Sequence, residues 1–364
     1  MATSKRRNRT REQKQQADDA RSDGNVAHSS GLIVRHADLT RARPFRWAWR
    51  GRVLLSYINL LVGEEGVGKG NLVAWIAAQL TLGELDGDLK GQPRKVMIVG
   101  DEDDFDHVWV PRLHVAGANL DNVVHLVSGP TGDIDVTSDA EAMRQLIADE
   151  GVVLAYFDQL LDNLGMTDSW KDKDVRMALA PLRHVARQTN VAALATLHPN
   201  KRKGSFRERV SGTPAFNALS RSSLLVATHP LDPDRVAVVR PKGNYSMEPP
   251  AFEFHIQQIM LTPPREGAEP IVTSKIVDTR ESLLTKDELL APPPARLQED
   301  SKAGQARKQL AEMFADGQER PASEVIDQLT AQGITERTVT RAATEIGLKR
   351  RQEGFPAKWY WKRP

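Results

Sequence analysis

Between about residue 45 and residue 260, short apolar runs alternate with stretches whose apolar positions recur every three or four residues. The run Ile58-Asn59-Leu60-Leu61-Val62 predicts a buried strand, and Leu72-Val73-Ala74-Trp75-Ile76-Ala77-Ala78-Gln79-Leu80 predicts a helix directly behind it. Further strands are predicted at 95–99, 123–127, 152–157, 191–197, 222–227 and 235–239, with helical patterns near 104–117, 138–149 and 174–188 between the earlier ones. Strands that alternate with helices predict a mostly parallel sheet covered on both faces. The later strands, joined by short loops, predict an antiparallel extension.

A different pattern begins near Ser301. Leu310 and Phe314 give one helix a core face, Val325, Ile326 and Leu329 a second, and Val339, Ala342, Ala343 and Ile346 a third, with Gly317 and Gly333 at helix ends. After Gly347 come Leu348-Lys349-Arg350-Arg351, a Gly354-Phe355-Pro356 turn and Lys358-Trp359-Tyr360-Trp361-Lys362, which reads as a β-hairpin with both tryptophans inward and Tyr360 on the other side. Three helices and a hairpin predict a small winged helix-turn-helix domain. The Pro-Pro-Pro at 292–294 and the polar residues after it read as a linker. Residues 1–30 carry Lys5, Arg6, Arg7, Arg9, Arg11 and Lys14 with almost nothing to bury, and read as a disordered basic arm, or as a solvated tail with no partner. The expected division is an arm over 1–30, an α/β core over 31–290, a linker over 291–300 and the small domain over 301–364.

Composition narrows the chemistry. With 364 residues, 27% charged and 40% hydrophobic, the chain is an ordinary soluble type, and no apolar run approaches a bilayer span. There is no cysteine, which excludes disulfides, thiol nucleophiles and thiolate metal sites. Nor is there a His-x-x-x-His pair or a Gly-x-Ser-x-Gly elbow. The first residues are basic without a signal-peptide apolar core, so a cytoplasmic location is expected. The net charge is only +2, so affinity for nucleic acid has to come from local clusters of basic residues.

The strongest motif lies between the first strand and helix. Gly63, Glu64, Glu65, Gly66, Val67, Gly68, Lys69 and Gly70 form a glycine-rich loop whose backbone N–H groups and helix N-terminus can face the phosphates of a nucleotide, with Lys69 as a mobile cation. ATP or GTP is the ligand to expect. The residue after the lysine ordinarily supplies a hydroxyl to Mg²⁺, and Gly70 has none, so hydrolysis should suffer more than binding. Asn71 carries the nearest side-chain oxygen, but the helical turn points it elsewhere.

Two apolar strands end in carboxylates. Asp158 closes the 152–157 run and is the candidate ligand for Mg²⁺, directly or through water. The 95–99 run leads into Gly100-Asp101-Glu102-Asp103-Asp104, of which Glu102 is the candidate base and Asp103 and Asp104 candidate helix caps.

In this order the segments from about Trp47 to Asn244 resemble the RepA-like hexameric helicases, a branch of the RecA-fold ATPases of plasmid and phage replication. The resemblance is carried by residues 45–52, the 63–69 loop, Glu102 with Arg112, Asp158, Thr196-Leu197-His198-Pro199-Asn200-Lys201, and Arg209-Val210-Ser211-Gly212 through Ser220-Arg221-Ser222. It implies a RecA-like core that uses ATP and Mg²⁺ and assembles into a homohexameric ring. It also implies that Thr196 and His198 sense the γ-phosphate or attacking water, and that Arg240 and Lys242 form a basic finger inserted by a neighbouring subunit. The family's Lys-x-Arg pattern is broken here, since Asn244 stands in the Arg position. Without the resemblance, His198 reads as a neutral histidine at a core edge.

Two basic clusters suit DNA. Lys201, Arg202, Lys203, Arg207 and Arg209, with Phe206 among them, form a loop after the sensors that in a ring of this kind faces a central channel and single-stranded DNA. Arg337 and Arg341 share one side of a predicted recognition helix, and Lys349, Arg350 and Arg351 lead the hairpin, suited to the phosphates of duplex DNA. The sequence therefore predicts an ATP-driven replicative helicase of plasmid or phage type, meeting other replication proteins and no membrane. The alternatives are a DNA-binding initiator accessory or regulator that binds ATP and hydrolyses it little, and a recombinase or helicase loader.

Overall fold

The computed structural model describes residues 25–27, 33–35, 37–100, 102–127, 134–158, 160, 172–197, 219–243, 248–263, 267, 269–291, 302–353 and 358–363. The chain divides into two units, Met1–Phe45 and Arg46–Pro364. In the first, β1 (Asn25–Ala27) pairs antiparallel with β2 (Ile33–Arg35), so a strand falls inside the segment expected to be a disordered arm.

In the second unit, a hairpin of β3 (Trp47–Trp49) and β4 (Val53–Leu54) leads into β5 (Ile58–Val62) and then α1 (Lys69–Leu82). The chain continues through β6 (Lys95–Val99), α2 (Val110–Val115), β7 (Val123–Leu126), α3 (Ala140–Glu150), β8 (Val152–Phe157), α4 (Asp172–Thr189) and β9 (Ala192–Leu197). It then enters β10 (Ser222–His229), β11 (Asp232–Gly243), β12 (Ala251–Leu261), β13 (Ile271–Ser282) and the short α5 (Lys286–Leu290). Strands β5 to β13 form one nine-stranded sheet in the order β13-β12-β11-β10-β5-β9-β8-β6-β7. From β10 to β7 every pairing is parallel, and β11, β12 and β13 extend the sheet antiparallel.

Alternation along the strands sorts side chains into two layers, because successive residues of a strand face opposite sides. Ile58, Leu60 and Val62 join the apolar layer that contains Met143 and Ile147 of α3 and Val175, Leu179 and Leu182 of α4. Leu61 joins the opposite layer with Leu72, Val73 and Ile76 of α1, and with Trp109 and Leu113 at and within α2. Helix α1 ends at Gly83, whose φ of 74° lets its N–H turn back to Gln79 and Leu80.

One polar side chain inside this core fixes where β5 begins. Asn59 is fully buried; its Oδ1 accepts from Leu54 N at 2.8 Å, while its Nδ2 donates to Leu54 O and Tyr57 O, each at 2.9 Å. The side chain thus plays the part of a strand partner for the turn that delivers β5 to the loop. Replacing Asn59 by Leu strands buried backbone groups and should cost about 3 kcal/mol, read as a lower midpoint in denaturant at unchanged slope.

The antiparallel extension holds a charged cluster on its inner strands. Glu253, 1% exposed, accepts from Arg280 Nε at 2.8 Å and from the Ser282 hydroxyl. Burial pushes its carboxyl up, but the Ser282 and Arg280 bonds outweigh it and the pKa is lowered. Strands β12 and β13 were absent from the sequence-based expectation. Strand β13 buries only Ile276, which leaves no apolar alternation to read.

Helices α6 (Lys302–Met313), α7 (Ala322–Thr330) and α8 (Glu336–Glu345) and strands β14 (Arg320–Pro321), β15 (Lys349–Glu353) and β16 (Lys358–Lys362) complete the described chain. The strands form a three-stranded antiparallel sheet in the order β14-β16-β15. Leu310, Phe314, Val325, Leu329, Val339, Ala342, Ala343 and Trp361 make a separate apolar core, matching the faces expected from spacing. Trp359 departs from that expectation: it shares a strand face with the buried Trp361 but is 49% exposed. The core therefore covers this face at Trp361 and leaves it open two residues earlier. The expected linker at 292–300 lies outside the described residues.

Candidate nucleotide-binding site

The C-terminal ends of the parallel strands bring the predicted residues together. Strand β9 lies between β5 and β8, with Val62 beside Leu197 and Phe157 beside Ala195. The glycine loop after β5, Thr196 on β9 and Asp158 after β8 therefore line one edge of the sheet, where ligands of open α/β folds bind. Glu102 follows β6 on the same edge, and its charge acts on both Lys69 and Tyr156.

The loop is built for close approach. A Cβ at Gly63 would lie 2.6 Å from Val226 O, and Gly68 caps α1 with a φ of 99°. This left-handed turn starts a 14-residue helix at Lys69, so the unpaired N–H groups of its first turn face the loop. Lys69 is 8% exposed and donates to Gly63 O and Glu64 O, each at 2.9 Å. Burial lowers its pKa, opposed by the charges of Asp158, Glu102, Glu65 and Glu64. A buried ammonium amid these carboxylates and carbonyls is a cation poised for a stronger anion. Glu64 and Glu65 are exposed, and Val67 packs against the core.

Asp158 is held rather than merely present. Tyr156 Oη and Thr196 Oγ1 each lie 2.9 Å from its Oδ1, and neither contact uses Oδ2. Thr196 Oγ1 is also 3.2 Å from Phe157 O and the residue is 1% exposed, so its hydroxyl addresses Asp158 and the strand end. Tyr156 was missed in the sequence. The signal was available: it is the one aromatic hydroxyl in the 152–157 run and stands two residues before Asp158, on the same strand face. Burial and the neighbouring Asp158 charge push its pKa well up, so it stays a neutral donor.

Gly70 has a structural counterpart. A Cβ built at Gly70 would lie 2.6 Å from Arg112 Nη1 and 3.4 Å from Arg112 Cζ, so the guanidinium stands where a side chain at this position would begin. Arg112 also meets Asp103 Oδ2 at 3.3 Å and lies over the Trp109 ring at 5.4 Å. The expected helix near 104–117 opens as a π-helical turn, Phe105–Trp109, before α2. Asp104 caps that turn by accepting from His107 N at 2.8 Å, as expected of it, whereas Asp103 pairs with Arg112. Asn71 points away from the loop, accepting from Ser274 Oγ at 3.0 Å.

The loop thus fits a polyphosphate, but the ordinary metal ligation is missing. Position 70 offers no oxygen, a cation occupies its flank, and among the described residues no group of three or more His, Cys, Asp or Glu could hold a metal. Asp158 is the carboxylate left for Mg²⁺.

The sheet order, loop and acidic strand end together point to a nucleotide-binding ATPase core. Residues 27–204 match the family model for an AAA domain. This is a P-loop ATPase family, and the matched AAA region contains the loop, Glu102, Arg112, Asp158 and Thr196. No curated protein matches the chain. The nine-stranded, mostly parallel sheet of the α/β fold fits a RecA-like P-loop core, though β10 to β13 lie beyond the matched AAA region. No helix among the described residues is long and apolar enough to cross a membrane.

Arg240 is 3% exposed, with its guanidinium 5.6 Å from the Trp47 ring centroid. Burial lowers its pKa, the Arg52 charge adds to this, and Glu248 opposes it. Within its own chain the Arg240 side chain is thus sunk against the β3 tryptophan. Lys242 sits opposite Ser223 in the sheet, and its side chain lies outside the described residues, as do His198, Lys201, Arg202, Lys203, Arg207 and Arg209.

In the C-terminal region, α8 carries Arg337, whose side chain is not described, and Arg341, paired with Glu345 at 2.8 Å. Lys349, Arg350 and Arg351 lie exposed on β15, and Arg351 meets Glu319 at 2.7 Å. Exposed pairs of this kind contribute little to stability, so the side chains can exchange them for other anions.

Proposed function

We propose that the protein is an ATP-binding RecA-like ATPase of the RepA-like helicase type, working on DNA as a homo-oligomeric ring. The observation that carries this reading is the line of Lys69, Thr196 and Asp158 along one sheet edge, with Tyr156 and Thr196 orienting the aspartate. The loop N–H groups and Lys69 hold the β- and γ-phosphates, Glu102 orients the attacking water, and Asp158, held at Oδ1 by Tyr156 and Thr196, is the metal-side carboxylate. Mg²⁺, where bound, would screen phosphate charge. Lys242 from a neighbouring subunit remains the candidate finger, and His198 the candidate second sensor.

DNA contact is assigned to two surfaces. The basic 201–209 loop follows the site in sequence and suits a single strand. The C-terminal region has the helix, strand, helix, helix, hairpin order of a winged helix-turn-helix, with α8 as recognition helix and Lys349, Arg350 and Arg351 on the wing contacting duplex phosphates. The expected result is ATP turnover that single-stranded DNA raises several-fold, together with separation of a forked duplex. An inert protein under both conditions would overturn the motor reading. A second reading, an ATP-regulated DNA-binding accessory with little hydrolysis, is favoured by the hydroxyl-free Gly70; ATP-dependent DNA binding without turnover would establish it.

A further inference from the structure

We propose that Arg112 is a phosphate-binding residue of the nucleotide site, its guanidinium taking over charge neutralisation that a metal held at loop position 70 would otherwise supply. This rests on the nucleotide-site reading above and specifies how that site meets its anion.

Residue 70 is the second residue of α1, directly after Lys69, and in a phosphate loop the side chain here faces the β- and γ-phosphate oxygens and their cation. Arg112 Nη1 is 2.6 Å from the position a Cβ would take, closer than real Cβ contacts come. Glycine at 70 leaves room for the guanidinium at its flank, and a side chain on residue 70 would move the arginine tip aside. The missing hydroxyl and the inserted cation are one feature.

Chemistry supports the exchange. A guanidinium offers five N–H donors in a plane that matches phosphate oxygens, and among the described residues Arg112 uses one of them, at 3.3 Å, on Asp103. Its side chain is 19% exposed, so its charge is only partly screened by water. It is also aimed. Arg112 lies against Trp109, whose ring meets the Tyr156 ring edge-on at 5.5 Å, and Tyr156 in turn holds Asp158. The arginine is thus packed into the same wall that orients the acidic residue. The π-helical turn Phe105–Trp109 sets the start of α2 and with it the direction of Arg112; such turns recur at functional sites.

The consequence is a site that holds a triphosphate with little help from a divalent cation. The test is equilibrium binding of a fluorescent ATP analogue to the full chain, with Mg²⁺ and with EDTA. Wild type should bind within about fivefold under the two conditions. Arg112→Gln should weaken binding in EDTA about tenfold, the loss of one charge-assisted contact. Gly70→Ser leaves Arg112 in the chain but pushes its tip aside; it should lose a similar factor in EDTA and regain it with Mg²⁺, so the proposal stays testable even if Arg112→Gln folds poorly. A wild type that binds only with Mg²⁺, or EDTA binding unchanged in Gly70→Ser, would overturn the proposal and leave the nucleotide reading intact. A wild type that binds in neither condition would overturn both.

Discussion

Lys69→Ala should weaken ATP binding by about 100-fold, some 2.7 kcal/mol, while leaving the folded state nearly as stable as wild type. The separation follows from where the ammonium is spent. In the protein its two bonds go to the Gly63 and Glu64 carbonyls, which keep water and loop partners when the side chain is removed. Facing a triphosphate, the same ammonium would make charge-assisted bonds, roughly twice as strong as neutral ones. Removing it also relieves the burial that lowers its pKa, so the stability cost is partly offset. Titration with ATP beside a thermal melt checks both halves. An unchanged affinity would show that the loop does not hold phosphate.

Asp158→Asn should lower ATP turnover by 100-fold or more with ATP affinity changed by less than about threefold, because this residue meets the reaction rather than the nucleotide as a whole. Two milder variants test whether its geometry matters. Tyr156→Phe and Thr196→Val each delete one of the two contacts at Oδ1, and each should reduce kcat about tenfold while KM stays nearly constant. Both wild-type residues are buried, so a melt must accompany the kinetics. Equal losses in kcat/KM through KM alone would assign the trio to nucleotide binding. No loss in Asp158→Asn would remove Asp158 from the chemistry.

These effects were only partly legible in the sequence. Strands β5, β6, β8 and β9 could be read because they are buried on both faces and appear as mostly apolar runs, interrupted by Asn59 in β5 and Thr196 in β9. The loop could be read because its glycines and lysine are contiguous. Interactions between distant segments could not. The empty position at Gly70 was visible, but that Arg112 fills it depends on the π-helical turn and on α2 packing beside α1. That the guanidinium of Arg240 lies over the ring of Trp47, from a hairpin far upstream, was likewise not visible in the sequence. Strand β13 is mostly polar, because its outer face meets solvent and its position at the sheet edge demands little burial. Tyr156 was hidden by context: in an apolar run an aromatic residue reads as core, although its hydroxyl reaches Asp158 two residues on, while the second contact to that carboxylate, from Thr196, depends on the placement of β9 beside β8.

If the 63–70 loop and Lys69 hold the phosphates of a purine nucleotide, calorimetric titration of the intact protein with ATP will show it. The prediction is saturable binding of one ATP per chain that is competed by ADP and abolished in Lys69→Ala. Absence of any binding heat at several temperatures, with Mg²⁺ or with EDTA, would contradict it.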